Sequence, residues 1–201
     1  MSNITDRKAD HIQLALAKEH QGIAISGFDR VQFEHNPIPE MALHDTNLST
    51  EFLGHALNAP IIIGAMTGGC DNGDLINQHL AEAAEQSKVV LALGSQRAAL
   101  ELGLAQNVRR WAPKAVILGN LGATQLQQQG AELARRAVES VEANALVIHL
   151  NPLQELIQPK GDRDWNQVLD AIHQCCSTLS QPIIVKEVGS GIGPTSAKKL
   201  I

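Results

Sequence analysis

The chain has 201 residues, of which 44% are hydrophobic and 18% charged, and its formal net charge is −5 at pH 7. This composition is ordinary for a globular protein and argues against a fibrous or disordered chain. The acidic balance argues against general nucleic-acid binding, which usually shows a basic excess. No apolar run approaches the length of a membrane helix, and the charged N-terminus lacks the apolar core of a signal peptide. Three cysteines without a CxxC motif fit a reducing compartment, so we expect a cytoplasmic protein.

Residues 1–58 are predicted to form a segment of their own before the main domain. Alanine, leucine and isoleucine recur at helical spacing between residues 7 and 19, and an irregular stretch with prolines at 37 and 39 follows. Arg7 and His11 are four residues apart and would share one face of that helix, with Lys8 next to them.

From residue 59 onward, five short apolar runs each end in glycine or polar residues. Such runs are typical of strands buried in a parallel sheet. They recur about 30 residues apart, which is the repeat of a βα unit. They read PIIIGAMTGG, VVLALGSQR, AVILGNLG, ALVIHLN and PIIVKEVGSG.

Helical spacing of apolar residues fills the intervals at 75–84, 133–141 and 168–179. Strands alternating with helices predict an α/β fold with a parallel sheet. The expected architecture is a TIM (β/α)8 barrel, which needs eight strands and about 250 residues. Since only about five of the eight βα units are visible in 59–201, we expect the N-terminal portion of a longer protein.

The residues at the predicted strand ends indicate a ligand. In an α/β barrel the carboxyl ends of the strands form the rim where the chemistry is done. The small residues from Ala65 to Gly69 would let a flat ring approach the backbone. Ser95, Asn120 and Lys186 would offer a hydroxyl, an amide and an ammonium to a polar heterocycle such as a flavin. Each taken singly is also a common turn or capping residue.

A cationic cluster is predicted at the same rim. Arg97 would join Arg7 and Lys8 in an otherwise acidic chain, which suits a phosphate or diphosphate. Glu155 beside a diphosphate could hold Mg²⁺, although a solvated loop acid is an equally good interpretation.

Together these motifs closely resemble type II isopentenyl diphosphate isomerase, the flavin-dependent enzyme of isoprenoid biosynthesis. The resemblance covers essentially the whole chain. It rests on RKADH, AMTGG, GSQR, GNLG, HLNPLQE and KEVGSG in this order and spacing.

The resemblance implies an enzyme that interconverts isopentenyl and dimethylallyl diphosphate with no net redox change. It implies FMN as acid and base, NADPH to keep the flavin reduced, Mg²⁺ on the diphosphate, and a homo-oligomer. Implied FMN contacts are Ala65, Met66, Thr67, Ser95, Asn120 and Lys186. The implied substrate-binding set is Arg7, Lys8, His11, Ser95, Gln96, Arg97, His149, Asn151 and Gln154. Gln154 and His149 are the implied catalytic residues, and Glu155 is the implied metal ligand.

Two other interpretations stay open. Another FMN-dependent barrel, of the hydroxy-acid oxidase type, would share the strand-five lysine but would take a hydride from its substrate. A chain without its last strands could also be an inactive fragment, with an unpaired sheet edge.

Overall fold

The computed structural model describes residues 30–66, 73–158 and 161–201. Its main element is a five-stranded parallel sheet whose strands lie side by side in sequence order. These strands are β3 (Ile62–Ile63), β4 (Val90–Ala92), β5 (Ile117–Gly122), β6 (Ala145–Leu150) and β7 (Ile183–Glu187). All five predicted strands are therefore confirmed.

A two-stranded antiparallel hairpin precedes the sheet, formed by β1 (Thr50–Phe52) and β2 (His55–Leu57). Its turn residues Leu53 and Gly54 both have positive φ, 53° and 77°. Two residues of this conformation make the turn whose twist matches that of the flanking strands. The hairpin was not predicted, because Leu-Gly is not one of the usual turn pairs.

Helices connect the strands, and seven α-helices lie in the described ranges. The three predicted long helices are confirmed as α1 (Gly73–Ser87), α4 (Ala123–Val141) and α6 (Val168–Thr178). Gly130, at φ 70°, interrupts α4. Three short helices were not predicted: α2 (Arg97–Leu102), α3 (Val108–Trp111) and α5 (Pro152–Ile157). A fourth short helix, α7 (Pro194–Leu200), follows the fifth strand.

The two faces of the sheet are covered differently. One face buries large residues against the helices, among them Leu91, Ile117, Leu146 and Ile148. The other face carries a smaller cluster of buried residues, including Val90, Ala92, Leu118 and Val147. The hairpin supplies Leu57, Phe52 and Leu53 to this second face, and His55 of the hairpin lies 3.3 Å from the amide of Asn144, just before β6.

The predicted TIM barrel is wrong for this structure. The described strands form an open sheet with β3 and β7 as its edges. The alternation of strands and helices determines a parallel sheet, but it does not determine closure, which also depends on strand number and stagger. The corrected class is an α/β fold with an open parallel sheet and a small antiparallel sheet.

The proposed division into 1–58 and 59–201 stays a prediction. No helix in the described ranges combines the length and apolar content needed to cross a membrane.

Candidate functional site

Polar side chains collect at the carboxyl edge of the sheet, on the face that the hairpin covers. The register places His149 of β6 beside Gly122 of β5 and Lys186 of β7. Asn120 precedes Gly122 by two residues and so lies on the same face, because side chains alternate along a strand. The structure thus brings together three predicted residues from neighbouring strands: Asn120, His149 and Lys186.

Asn120 is only 3% exposed, and its amide group is hydrogen bonded within the protein. Nδ2 donates to the carbonyl of Leu93 at 2.8 Å. Oδ1 lies 2.8 Å from Nδ1 of His149. The side chain therefore links the residue that follows β4 to β6 beneath the edge of the sheet.

Lys186 supplies a cation to this edge. Its Nζ lies 3.4 Å from the backbone carbonyl of Glu187, a long contact for a hydrogen bond. Partial burial lowers the pKa of Lys186, and the negative charge of Glu187 offsets only part of that effect. A half-buried ammonium in such surroundings gains from an anionic or polar ligand.

The segment after β6 folds into α5, and three predicted residues lie at its start. Asn151 donates from Nδ2 to Oε1 of Glu155 at 2.9 Å and to Oε1 of Gln154 at 3.4 Å. The backbone N–H of Asp162 donates to the other Glu155 oxygen at 2.8 Å. The Glu155 carboxylate, 8% exposed, thus holds the loop that follows α5.

The described residues offer few side-chain ligands for a metal ion. Within the described ranges, no group of three or more His, Cys, Asp or Glu side chains is close enough to hold a metal ion. A cation at Glu155 would need most of its ligands from a substrate.

Asp162 is an unpredicted residue that ties the strand ends together. Its Oδ2 accepts from Nη1 of Arg97 at 3.1 Å, from Nε2 of Gln125 at 2.9 Å and from Oγ1 of Thr124 at 3.4 Å. Nothing in the sequence around Asp162 distinguishes it from the other loop acids.

Arg97 donates from Nε to Glu101 at 2.8 Å in addition to its bond with Asp162. Burial alone would lower the pKa of Arg97, but the hydrogen bonds and charges of Glu101 and Asp162 outweigh it and raise the pKa. The guanidinium is therefore charged and held at the strand edge.

Gln96 is placed differently from its prediction as a substrate contact. Its side chain is fully buried. Nε2 donates to the carbonyl of Ala137 at 2.9 Å, and Oε1 accepts from the backbone N–H of Asn120 at 2.9 Å. Gln96, which directly precedes α2, thus joins β5 to α4, and the structure gives it a role in the fold.

Of the remaining predicted site residues, three lie in the described ranges and four lie outside them. Ser95 is partly buried and its Oγ lies 3.5 Å from the backbone nitrogen of Arg97. Ala65 packs against the second face of the sheet, whereas Met66 is 55% exposed. The other predictions lie outside the described residues: Arg7, Lys8, His11 and Thr67.

The fold and this edge define an α/β protein with polar side chains at the carboxyl ends of parallel strands, where such sheets bind small ligands. The chain is 48% identical over 203 residues to the isopentenyl-diphosphate delta-isomerase of Cronobacter sakazakii, covering 98% of this chain and 58% of that protein. It is 50% identical over 200 residues to the protein of the same name from Xanthobacter autotrophicus, with 96% and 58% covered. A relative with this name in Halobacterium salinarum is 45% identical over 201 residues, with 97% and 56% covered.

No family model matches the chain. The chain spans about 58% of the length of the curated relatives it matches. Their names give the isomerase without a type, so the narrower resemblance to the type II family is corrected to similarity with isopentenyl-diphosphate delta-isomerases in general.

Proposed function

We propose that this chain carries part of an isomerase that acts on isopentenyl diphosphate, a reaction of isoprenoid biosynthesis. The observation that carries the proposal is the similarity, at 48% identity over 98% of the chain, to a relative named for that reaction. The carboxyl edge supports it, because Arg97 and Lys186 place two cationic side chains at an edge that would receive an anionic ligand.

Arg97 would bind the diphosphate while keeping its present partners. A guanidinium has five N–H donors, and the hydrogen bonds to Glu101 and Asp162 use one from Nε and one from Nη1. Fixed by these two carboxylates, Arg97 would present its other donors without losing side-chain freedom on binding. Arg7, Lys8 and His11 stay predictions for the same role.

FMN is the cofactor we propose for the second face. The half-buried ammonium of Lys186 fits the polar edge of a flavin ring, which carries negative charge in the reduced anionic form. The exposed side chain of Met66 fits the flat apolar part of the ring. Asn120 does not fit a direct contact, because its amide is already bonded to Leu93 and His149. When bound, a reduced flavin supplies an acid and base of its own, and NADPH is the reductant we propose.

The chain's own residues would orient the substrate. Gln154, partly buried at the start of α5, would lie beside the reacting carbons and direct proton movement. Asn151 holds Gln154 and Glu155 at that place. Mg²⁺ would arrive with the diphosphate and add Glu155 to ligands that the substrate provides, which suits an ion that keeps phosphate oxygens and waters.

The test has two arms. In the first, the 201-residue chain is titrated with FMN and flavin fluorescence is followed, with Lys186→Ala as the test variant and Lys198→Ala as the matched control. Saturable binding that is lost only in Lys186→Ala supports the flavin site, and equal binding by both variants contradicts it.

In the second arm, this chain replaces the matching 58% of the Cronobacter sakazakii relative. Conversion of isopentenyl diphosphate to dimethylallyl diphosphate by the chimera is followed by NMR with FMN, NADPH and Mg²⁺. A folded chimera without turnover, next to an active parent, would refute the proposed reaction. Turnover that persists without flavin would refute the proposed cofactor but not the proposed reaction. Net oxidation of the substrate would favour an oxidase.

A further inference from the structure

The contacts of Asn120 assign the proton on a neighbouring histidine. Because Nδ2 of Asn120 donates to the Leu93 carbonyl, which can only accept, the orientation of the amide is fixed. Its Oδ1 must then be the atom that faces Nδ1 of His149 at 2.8 Å. An amide oxygen can only accept a hydrogen bond, so Nδ1 carries the proton.

We infer that Asn120 is a positioning residue that holds neutral His149 in its Nδ1–H tautomer. Nε2 then carries the lone pair. In water a free imidazole prefers the other tautomer, so this assignment depends on the protein. Asn120 is 3% exposed, so water competes little for the hydrogen bond that imposes it.

Nε2 lies at the edge of the sheet. A Cβ on Gly122, the last residue of β5, would be 3.1 Å from Nε2. The absence of a side chain at Gly122 lets the ring lie over the end of β5. The lone pair is thus placed where the strands end, next to Lys186 in the register.

The tautomer decides what His149 can do in the proposed reaction, and this consequence rests on the proposed function. A neutral ring with its lone pair on Nε2 accepts a hydrogen bond or a proton from a ligand. It cannot donate from Nε2 to a phosphate oxygen. His149 therefore suits a proton acceptor or the recognition of an O–H or N–H group, and the diphosphate is left to the cations.

The first experiment measures the tautomer without any assay of activity. The protein is labelled with ¹⁵N in the histidine rings, and long-range ¹H–¹⁵N correlation spectra are recorded at neutral pH. Nε2 couples to both ring C–H protons and Nδ1 strongly to one, so the pattern shows which nitrogen lacks a proton. His149→Gln identifies the signals among the eight histidines.

We expect the unprotonated shift on Nε2 of His149. An unprotonated shift on Nδ1 would overturn the inference. So would the signature of an imidazolium, in which Nε2 also carries a proton and donates to an oxygen such as Oε1 of Gln125, which is likewise near the Gly122 position.

Two variants separate positioning from a merely structural role. Asn120→Leu removes the acceptor, and we expect the Nε2–H tautomer or a mixture. Asn120→Asp keeps an oxygen acceptor opposite Nδ1 and should keep Nδ1–H, but it loses the donor to the Leu93 carbonyl, so this variant is assessed by NMR alone. The exposed His173 is the internal control and should not change. If His149 keeps the same tautomer in a folded Asn120→Leu variant, the inference is contradicted. If that variant does not fold, the tautomer measured in the unmutated protein still tests the inference.

In the active chimera, Asn120→Leu should lower kcat by about 10- to 100-fold, by analogy with residues that orient a metal-bound histidine through its other ring nitrogen, with KM little changed. If the chimera is inactive, the proposed function fails while the NMR result still stands or falls by itself.

Discussion

Gly122 and Gly193 offer a matched test of the packing at the carboxyl edge. Each glycine directly precedes a helix and itself has an extended backbone conformation. The angles are φ −79° and ψ 147° for Gly122, and φ −70° and ψ 161° for Gly193. Alanine can adopt both conformations. The effects of the substitution on the unfolded chain and on helix capping should therefore be similar at the two positions.

The surroundings of the two glycines differ. An added Cβ at Gly193 meets nothing within 4 Å, whereas at Gly122 it would overlap Oε1 of Gln125. Gln125 is 4% exposed and donates from Nε2 to Asp162 at 2.9 Å and to Thr124 at 2.8 Å. Moving this amide away breaks one hydrogen bond to a charged group and one to a neutral group, which together contribute about 2 to 4 kcal/mol.

We therefore expect Gly122→Ala to lower the free energy of unfolding by about 2 to 4 kcal/mol relative to Gly193→Ala. For a protein of this size, the melting temperature should fall by roughly 5 to 15 °C. Urea denaturation followed by circular dichroism measures the difference. In a Gln125→Ala background most of the cost of Gly122→Ala should disappear, because the two sites are coupled. Equal stabilities of Gly122→Ala and Gly193→Ala would refute the reasoning.

Three further substitutions test other parts of the structure. Lys186→Met should raise the free energy of unfolding at neutral pH by about 0.5 to 1 kcal/mol, a modest gain because solvent still screens this half-exposed ammonium. The same variant should weaken flavin binding when FMN is titrated into the protein. Arg109→Lys should cost about 2 kcal/mol in urea denaturation, since Nη1 and Nη2 of Arg109 donate to several backbone carbonyls that one ammonium cannot reach together; exposed Arg110→Lys is the control and should be nearly neutral. For Glu187 slight burial raises the pKa, but four backbone N–H groups in residues 188–191 lower it on balance. Glu187→Gln should therefore destabilise the protein above the ordinary carboxyl pKa and match the unmutated protein once acid has protonated both states; a loss that persists in acid would contradict this assignment.

The strands and long helices could be predicted because burial leaves a clear pattern in the sequence. A strand covered on both faces is an apolar run, as in residues 145–150, and a helix packed on a sheet repeats its apolar residues, as in residues 133–141. The hairpin at 50–57 has neither pattern, and its Leu53-Gly54 turn is held by packing against the sheet. Helices of four to seven residues, such as α3, are too short to show a period.

The sequence groups the candidate residues at one edge of the sheet more readily than it gives the direction of each side chain. The carboxyl ends of parallel strands meet at one edge whatever the side chains are, so Asn120, His149 and Lys186 could be grouped from sequence. The direction of each side chain could not be predicted where the chain leaves the regular pleat. Gln96 illustrates this, because a polar residue at a strand end suggested a ligand contact and instead turns inward to α4.

The predicted site residues thus fall into two groups with different consequences when mutated. Gln96, Asn120 and Glu155 are almost fully buried and bond to backbone or side chains of other elements. Removing them leaves unpaired polar groups, so a loss of ligand binding would follow from a disturbed edge. Gln154 and Lys186 keep part of their surface exposed. A loss of binding or turnover without a loss of stability in variants of these two residues would therefore identify direct contacts with the ligand.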